Sequence, residues 1–266
     1  MSNFKINDFA TYKKNLRKIT MVTAYDFHHA AIIEESDIDI ILVGDSLGMV
    51  VQGKSNTLSV TLNEIIYHTQ AVRKGAPNCF IVADMPYLTY HLDTNTTIQN
   101  AGMLISIANA DAVKLEINHP KALEHIAALV TAQIPVIAHV GMTPQSINMF
   151  GGFKLQGKIP TQAKHIIDLA KASEKIGAVA IVVECVPSNL ASQLTQELTI
   201  PTIGVGAGKD CDGQVLVLND ILGLTIKPPK FAKQYLNGRE LISKALCSFV
   251  YDVQTKKFPD TQHSFN

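Results

Sequence analysis

The chain carries its apolar residues in short continuous runs rather than in alternation with polar ones. ITMVTAY (19–25), IDIILVGDS (38–46), FIVADMP (80–86), DAVKLE (111–116), IPVIAHVG (134–141), GAVAIVVE (177–184) and IPTIGVGAG (200–208) are all rich in β-branched residues. Unbroken runs of this kind predict strands covered on both faces, as in parallel sheets. Between them AAIIEES, TLNEIIYHTQAVRKG, TTIQNAGMLISIANA, PKALEHIAALVTAQ and QAKHIIDLAKASEKIG repeat with helical spacing. Strand and helix therefore alternate, and DILGLTI (220–226) is read as the eighth strand. The pattern predicts a (β/α)8 TIM barrel of the α/β class, one domain over residues 1–266. Its repeat ends at Lys227-Pro228-Pro229-Lys230, so a helical tail is expected from about residue 227. A doubly wound open sheet is the alternative, but the early G-x-G-x-x-G that would open a dinucleotide site is missing.

Composition narrows the function classes. With 266 residues, 47% of them hydrophobic and 17% charged, the chain has ample material for a large core. Lys plus Arg and Asp plus Glu each number 23, so no net field draws it to nucleic acid or to an anionic membrane surface. Cys79, Cys185, Cys211 and Cys247 are far apart and form no C-x-x-C pair, which argues against a zinc site or a disulfide framework. Reduced thiols in a cytoplasmic protein are expected. The first twenty residues hold no apolar leader core, and no apolar run approaches a membrane span.

The polar residues that end the runs carry the candidate chemistry. These are Asp45-Ser46, Asp84, Lys114 with Glu116, His139 and Glu184. In a barrel the C-terminal strand ends converge on one mouth, where active sites lie. Residues two apart on a strand share a face, so Lys114 and Glu116 are expected to point inward together, as are Val43 with Asp45 and Val182 with Glu184. Each residue also has a bland reading. Asp45 and Asp84 can cap the helices that follow, Lys114 and Glu116 can form a structural ion pair, and His139 can be a satisfied core histidine. Glu184 resists such a reading, because Cys185-Val186-Pro187 continues apolar and offers no helix to cap. All of them at equivalent strand ends make one site the simpler explanation.

Carboxylates with room for water suit Mg2+, with Asp45 and Asp84 as inner ligands. A metal there can polarise a carbonyl while a second carboxylate, Glu184, removes the neighbouring proton. Lys114 is placed to neutralise a substrate carboxylate or developing enolate charge, and His139 to donate to the same oxygen. The glycines of PTIGVGAGKDCDGQVLV fit either a phosphate cradle or close packing and positive φ.

The runs VGDSLGMVVQGKSNTLSVTLNEIIYHTQAV, VADMPYLTY, AVKLE, HVGMTPQSINMFGGFKLQG and IPTIGVGAGKDCDGQVLVLNDILGL together resemble the ketopantoate hydroxymethyltransferase family, from about Thr20 to Leu224. The resemblance implies a Mg2+-dependent (β/α)8 enzyme of pantothenate biosynthesis. It would move a hydroxymethyl group from 5,10-methylenetetrahydrofolate to 3-methyl-2-oxobutanoate (α-ketoisovalerate). It implies Asp45 and Asp84 as metal ligands with Glu116 completing the metal environment. Substrate contacts fall on Asp45, Ser46, Asp84, Lys114 and His139, and the proton acceptor on Glu184. It also implies a homo-oligomer, a decamer in bacterial members. One departure stands out: after KLE the family usually has paired glycines, whereas this chain has Ile117-Asn118-His119, which is expected to narrow the loop. Two other classes compete, a Mg2+ barrel lyase or carbon–phosphorus mutase acting on 2-oxo acids, and a non-catalytic oligomeric binding protein that retains the barrel.

Overall fold

Seven of the eight apolar runs form strands, and the computed structural model, which describes residues 4–265, closes them with an eighth into a barrel. The strands are β1 (Ile19–Thr23), β2 (Ile40–Val43), β3 (Phe80–Asp84), β4 (Ala112–Glu116), β5 (Val136–Gly141), β6 (Ala180–Glu184), β7 (Thr202–Val205) and β8 (Gly213–Leu216). Every neighbouring pair is parallel, and β1 closes onto β8. Helices Phe27–Glu35, Leu62–Gly75, Thr94–Ser106, Leu123–Thr131, Pro160–Ile176 and Ser188–Glu197 lie in the connections after β1 to β6. Their starts are set locally: Asp26 and Asp93 accept the backbone N–H of the third residue of their helices, and Thr61 with Glu64 forms a capping box.

The eighth strand is not where the apolar pattern put it. DILGLTI supplies the end of a short helix, Leu218–Ile221, and the turns after it, whereas β8 is the less apolar GQVL. Gly213 begins that strand because its backbone passes too close to Ile19 for a side chain: a Cβ there would lie 2.6 Å from the Ile19 carbonyl oxygen. No helix separates β7 from β8. Residues 206–212 descend directly, with Gly206 and Gly208 at positive φ and Ala207 and Cys211 buried. Of the two readings of the glycine-rich run, close packing and positive φ are the ones the fold exhibits.

Alternation along the strands makes two cores. One lies between sheet and helices. The other fills the barrel with Ile19, Met21, Ile40, Leu42, Phe80, Val82, Ala112, Ile137, Ala180, Val182, Ile203 and Val215. Phe4, Phe9 and Tyr12 join that interior cluster, and the Phe4 and Phe9 rings meet Phe80 edge-on at 5.6 Å, so the N-terminal helix Asp8–Lys14 plugs the end where the strands begin.

The chain divides into two compact units, Met1–Val217 and Leu218–Asn266. In the second, the Tyr235 and Leu236 amides donate to the Ile221 carbonyl and the Gly238 amide to that of Leu222, ahead of the terminal helix Gly238–Gln254. Leu241, Ile242, Leu246, Phe249 and Val250 of that helix are exposed.

Candidate active site

On β3 to β6 the interior face begins apolar and turns polar toward the strand's end. On β3 the sequence of inward residues is Phe80, Val82, Asp84; on β4 it is Ala112, Lys114, Glu116; on β5 Ile137, His139; on β6 Ala180, Val182, Glu184. Register then sets the rows: Asp84 pairs with Lys114 and Glu116 with His139 across neighbouring strands. Five ionisable groups therefore stand at one mouth, above the apolar filling.

Asp45 arrives there differently. Ile40 and Leu42 face the interior, so Val43 faces the helix layer, and the expected Val43–Asp45 alternation does not hold. Asp45 lies in the turn past the end of β2, where its amide donates to Asp84 Oδ2 at 2.9 Å. Gly44 makes room for this: a Cβ there would stand 3.2 Å from the same Asp84 oxygen. Ser46 follows at the mouth, its Oγ 2.8 Å from the Tyr25 hydroxyl. Neither aspartate is the cap residue of a following helix. Ser46 occupies that position before Leu47–Val50, and Asp93 caps Thr94–Ser106.

The ion pairs also differ from the bland readings. Lys114 Nζ lies 2.7 Å from Asp84 Oδ1, not on its strand-mate Glu116, and 3.4 Å from His139 Nδ1. His139 Nε2 in turn lies 3.3 Å from Glu184 Oε2. An ammonium only donates, so Nδ1 is the acceptor and the imidazole proton sits on Nε2, facing Glu184. Burial and then the Lys114 charge lower the His139 pKa, so the ring is neutral at pH 7. Burial also pulls on Lys114, but Asp84, Glu116 and Asp45 outweigh it and hold the ammonium charged. Burial and then Asp84 push Asp45 up to about 7, and burial and then Asp45 push Glu116 well above the ordinary value. The mouth is thus short of positive charge. Glu184 is the accessible member, with a side chain 18% exposed against 2–6% for Asp84, Lys114, Glu116 and His139.

A divalent cation fits this deficit. Glu116 Oε1 is buried without a hydrogen bond, and Asp84 Oδ1 has only its ion pair with Lys114. Among the described residues no three His, Cys, Asp or Glu side chains gather closely enough to enclose an ion by themselves. The donors are oxygens, too few for a closed cage, which suits a Mg2+ ion that keeps waters and takes one or two carboxylates.

Two residues of the mouth were not among the candidates read along the chain. Gln145 lies in the turn Pro144–Ser146 after β5; its amide N–H donates to Glu116 Oε2 at 2.9 Å and its Nε2 to Asp45 Oδ2 at 2.8 Å. Tyr90, 1% exposed, donates its hydroxyl to Gln145 Oε1 at 2.8 Å. Gln145 lacks charge and stands off the strands, and only the T-P-Q block of the family resemblance pointed near it. The unusual Ile117-Asn118-His119 segment does not crowd Glu116. Ile117 is buried in the sheet–helix core, Asn118 donates to Ser146 Oγ, and its carbonyl lies 2.8 Å from His165 Nε2. The segment ties the loop down beside Gln145.

The ketopantoate hydroxymethyltransferase family model matches residues 3–261. The 3-methyl-2-oxobutanoate hydroxymethyltransferase of Clostridium botulinum (strain Alaska E43 / Type E3) is 51% identical over 261 residues, 98% of this chain and 94% of that protein. Its counterpart in Geobacillus kaustophilus (strain HTA426) is 49% identical, covering 97% and 92%. Among solved structures, phosphoenolpyruvate phosphomutase from Streptomyces platensis subsp. rosaceus aligns with TM-score 0.64 at 16% identity over 95% of this chain and 91% of that one, a likeness of fold alone.

Proposed function

This chain belongs to the ketopantoate hydroxymethyltransferase family, and on that footing we propose that it hydroxymethylates 3-methyl-2-oxobutanoate with 5,10-methylenetetrahydrofolate as donor. Water is consumed, and 2-dehydropantoate (ketopantoate) and tetrahydrofolate are released, a step toward pantothenate and coenzyme A. The observation that carries the reading is the division of the mouth. Buried carboxylates beside one lysine form an anionic cluster, and Glu184, the more accessible carboxylate, is separated from them by neutral His139.

Asp45 and Asp84 would hold Mg2+, with Glu116 beside them. When bound, the ion would supply a Lewis acid for the 2-oxo oxygen. Glu184 takes the C3 proton of the substrate, and the C3–H electron pair moves into the new enolate. His139, with Nε2 3.3 Å from Glu184 Oε2, flanks that carboxylate and limits where it can turn. Lys114, held charged by its carboxylate neighbours, is the donor for the substrate's carboxylate or developing oxyanion. Ser46, anchored by Tyr25, lines the substrate side of Asp45. The donor's methylene carbon gives up both of its carbon–nitrogen bonds, one in opening to the iminium that C3 attacks and one to water, so tetrahydrofolate leaves and the hydroxymethyl group stays on C3.

The reading also takes the chain as a cytoplasmic homo-oligomer, a decamer. The exposed apolar residues of Gly238–Gln254 support association, and no helix among the described residues is long and apolar enough to cross a membrane. Sedimentation of the purified protein measures the subunit count. For the reaction, labelled product is followed from α-ketoisovalerate with the folate and Mg2+ omitted in turn. Product is expected only with both present; turnover without folate would turn the assignment toward a lyase or mutase.

A further inference from the structure

Gln145 touches both carboxylates that flank the cation site, yet it carries no charge and cannot itself bind as an anion. Its two arms are distinct. The backbone N–H reaches Glu116 Oε2, and the side-chain amide nitrogen reaches Asp45 Oδ2 and, at 3.0 Å, the Met85 carbonyl. The Met85 carbonyl is a pure acceptor, so the amide has one favoured orientation: a flip would set its oxygen against that carbonyl. Tyr90 enforces the same choice from the other side. Its oxygen accepts the Glu116 N–H at 3.1 Å, and of the two acceptors within reach of its single proton Gln145 Oε1, at 2.8 Å, is nearer than the Glu116 carbonyl, at 3.2 Å. The result is a closed circuit running from the Glu116 amide through Tyr90 and Gln145 to Asp45, with a return from the Gln145 amide to the Glu116 carboxylate. Gln145, Tyr90, Asp45 and Glu116 are all buried, so each donor and acceptor would be costly to leave unmade.

Asp45 and Glu116 repel one another, and left to themselves would turn apart or take up protons. A lysine between them would hold them together but would occupy the charge deficit that a cation fills. A neutral amide holds both without doing so, and it leaves Glu116 Oε1 without a hydrogen bond.

We propose that Gln145 is the positioning residue of the cation site, holding Asp45 and Glu116 in the arrangement that receives the ion, with Tyr90 fixing the direction of its amide. The inference rests on the metal role proposed above. Gln145→Met keeps the length of the side chain and the backbone arm to Glu116 but removes the arm to Asp45. Tyr90→Phe keeps the ring and removes the orienting hydroxyl. The test is the affinity for Mn2+ alone, followed by electron paramagnetic resonance, with thermal melting of the chelated proteins and the apparent KM for Mg2+ against kcat.

Gln145→Met is expected to bind Mn2+ about tenfold more weakly or worse, with KM for Mg2+ rising more than kcat falls. Tyr90→Phe should show a smaller loss in the same direction. The double variant should lose no more than Gln145→Met, because Tyr90 acts through Gln145. A folded Gln145→Met with wild-type Mn2+ affinity overturns the proposal, as do strictly additive losses for the role of Tyr90. Should Gln145→Met not fold, unchanged Mn2+ affinity in Tyr90→Phe overturns it instead. Wild-type protein that binds no Mn2+ overturns the metal reading itself, a result separable from a failure of Gln145 alone.

Discussion

The two ends of this barrel use acidic side chains in opposite ways. Where the strands begin, Asp39, Asp111 and Asp212 each stand just before an even-numbered strand and accept the backbone N–H at the start of the preceding one, Thr20, Ile81 and Thr202. Each also faces its own cation: Arg17, Arg73 and Lys13. Carboxylate and cation match one to one, and the hydrogen bonds lock strand to strand. Where the strands end, Asp45, Asp84 and Glu116 share Lys114, and Glu184 stands beyond them against a neutral histidine. The first arrangement is satisfied within the protein, and the second leaves carboxylates in excess of cations. In an α/β barrel this is the expected division between a stabilising floor and a reactive mouth.

Substitutions at the two ends should therefore move different quantities. The largest effect is expected from Glu184→Gln, which removes the accessible carboxylate. Deuterium exchange at substrate C3 should fall about a hundredfold or more while Mn2+ binding and melting stay near wild type. Exchange at the wild-type rate would take the base out of the mouth. Next comes Asp212→Asn at the floor, which strips Lys13 of its partner in a setting where the two side chains are 16% and 9% exposed. A loss of about 3 kcal/mol in urea unfolding is expected, with kcat per folded molecule unchanged.

Asp45→Asn sharpens the contrast, because its sign is reversed. Asp45 has its folded pKa at about 7, above the ordinary 3.8. Between those values the folded chain holds a proton that the unfolded chain has released, so stability declines as pH rises through that window and the full cost persists above it. In chelated protein at pH 8 the substitution should raise unfolding free energy, on the order of 2 kcal/mol, while abolishing turnover. A fall instead would put Asp45 among the supports, with the floor aspartates. The smallest effect is expected from Asp111→Asn, whose side chain is 40% exposed: about 1 kcal/mol, read as a small drop in the urea midpoint.

Much of this was legible along the chain, and the failures have physical causes. Continuous Ile and Val runs marked β1 to β7 because both faces of those strands are covered. The eighth strand escaped because GQVL leaves Gln214 exposed and is held by close approach to β1 instead of by an apolar run, while DILGLTI has the apolar content without the pairing. The candidate residues Asp84, Lys114, Glu116, His139 and Glu184 followed from strand ends and alternation, and the mouth brings them together. Asp45 reaches the same mouth although its parity is wrong, because the turn after β2 has left the strand.

The sequence by itself determined seven of the eight strands, most of the residues that end them and the family they match. Those follow from covalent order, side-chain period and composition, all local properties of the chain. It could not show that Lys114 would choose Asp84 over Glu116, that His139 would be neutral beside Glu184, or that an uncharged glutamine and a tyrosine would brace the carboxylates. These depend on distances of a few ångströms between loops far apart in sequence and on how completely water is excluded between them. Only the closed barrel sets both.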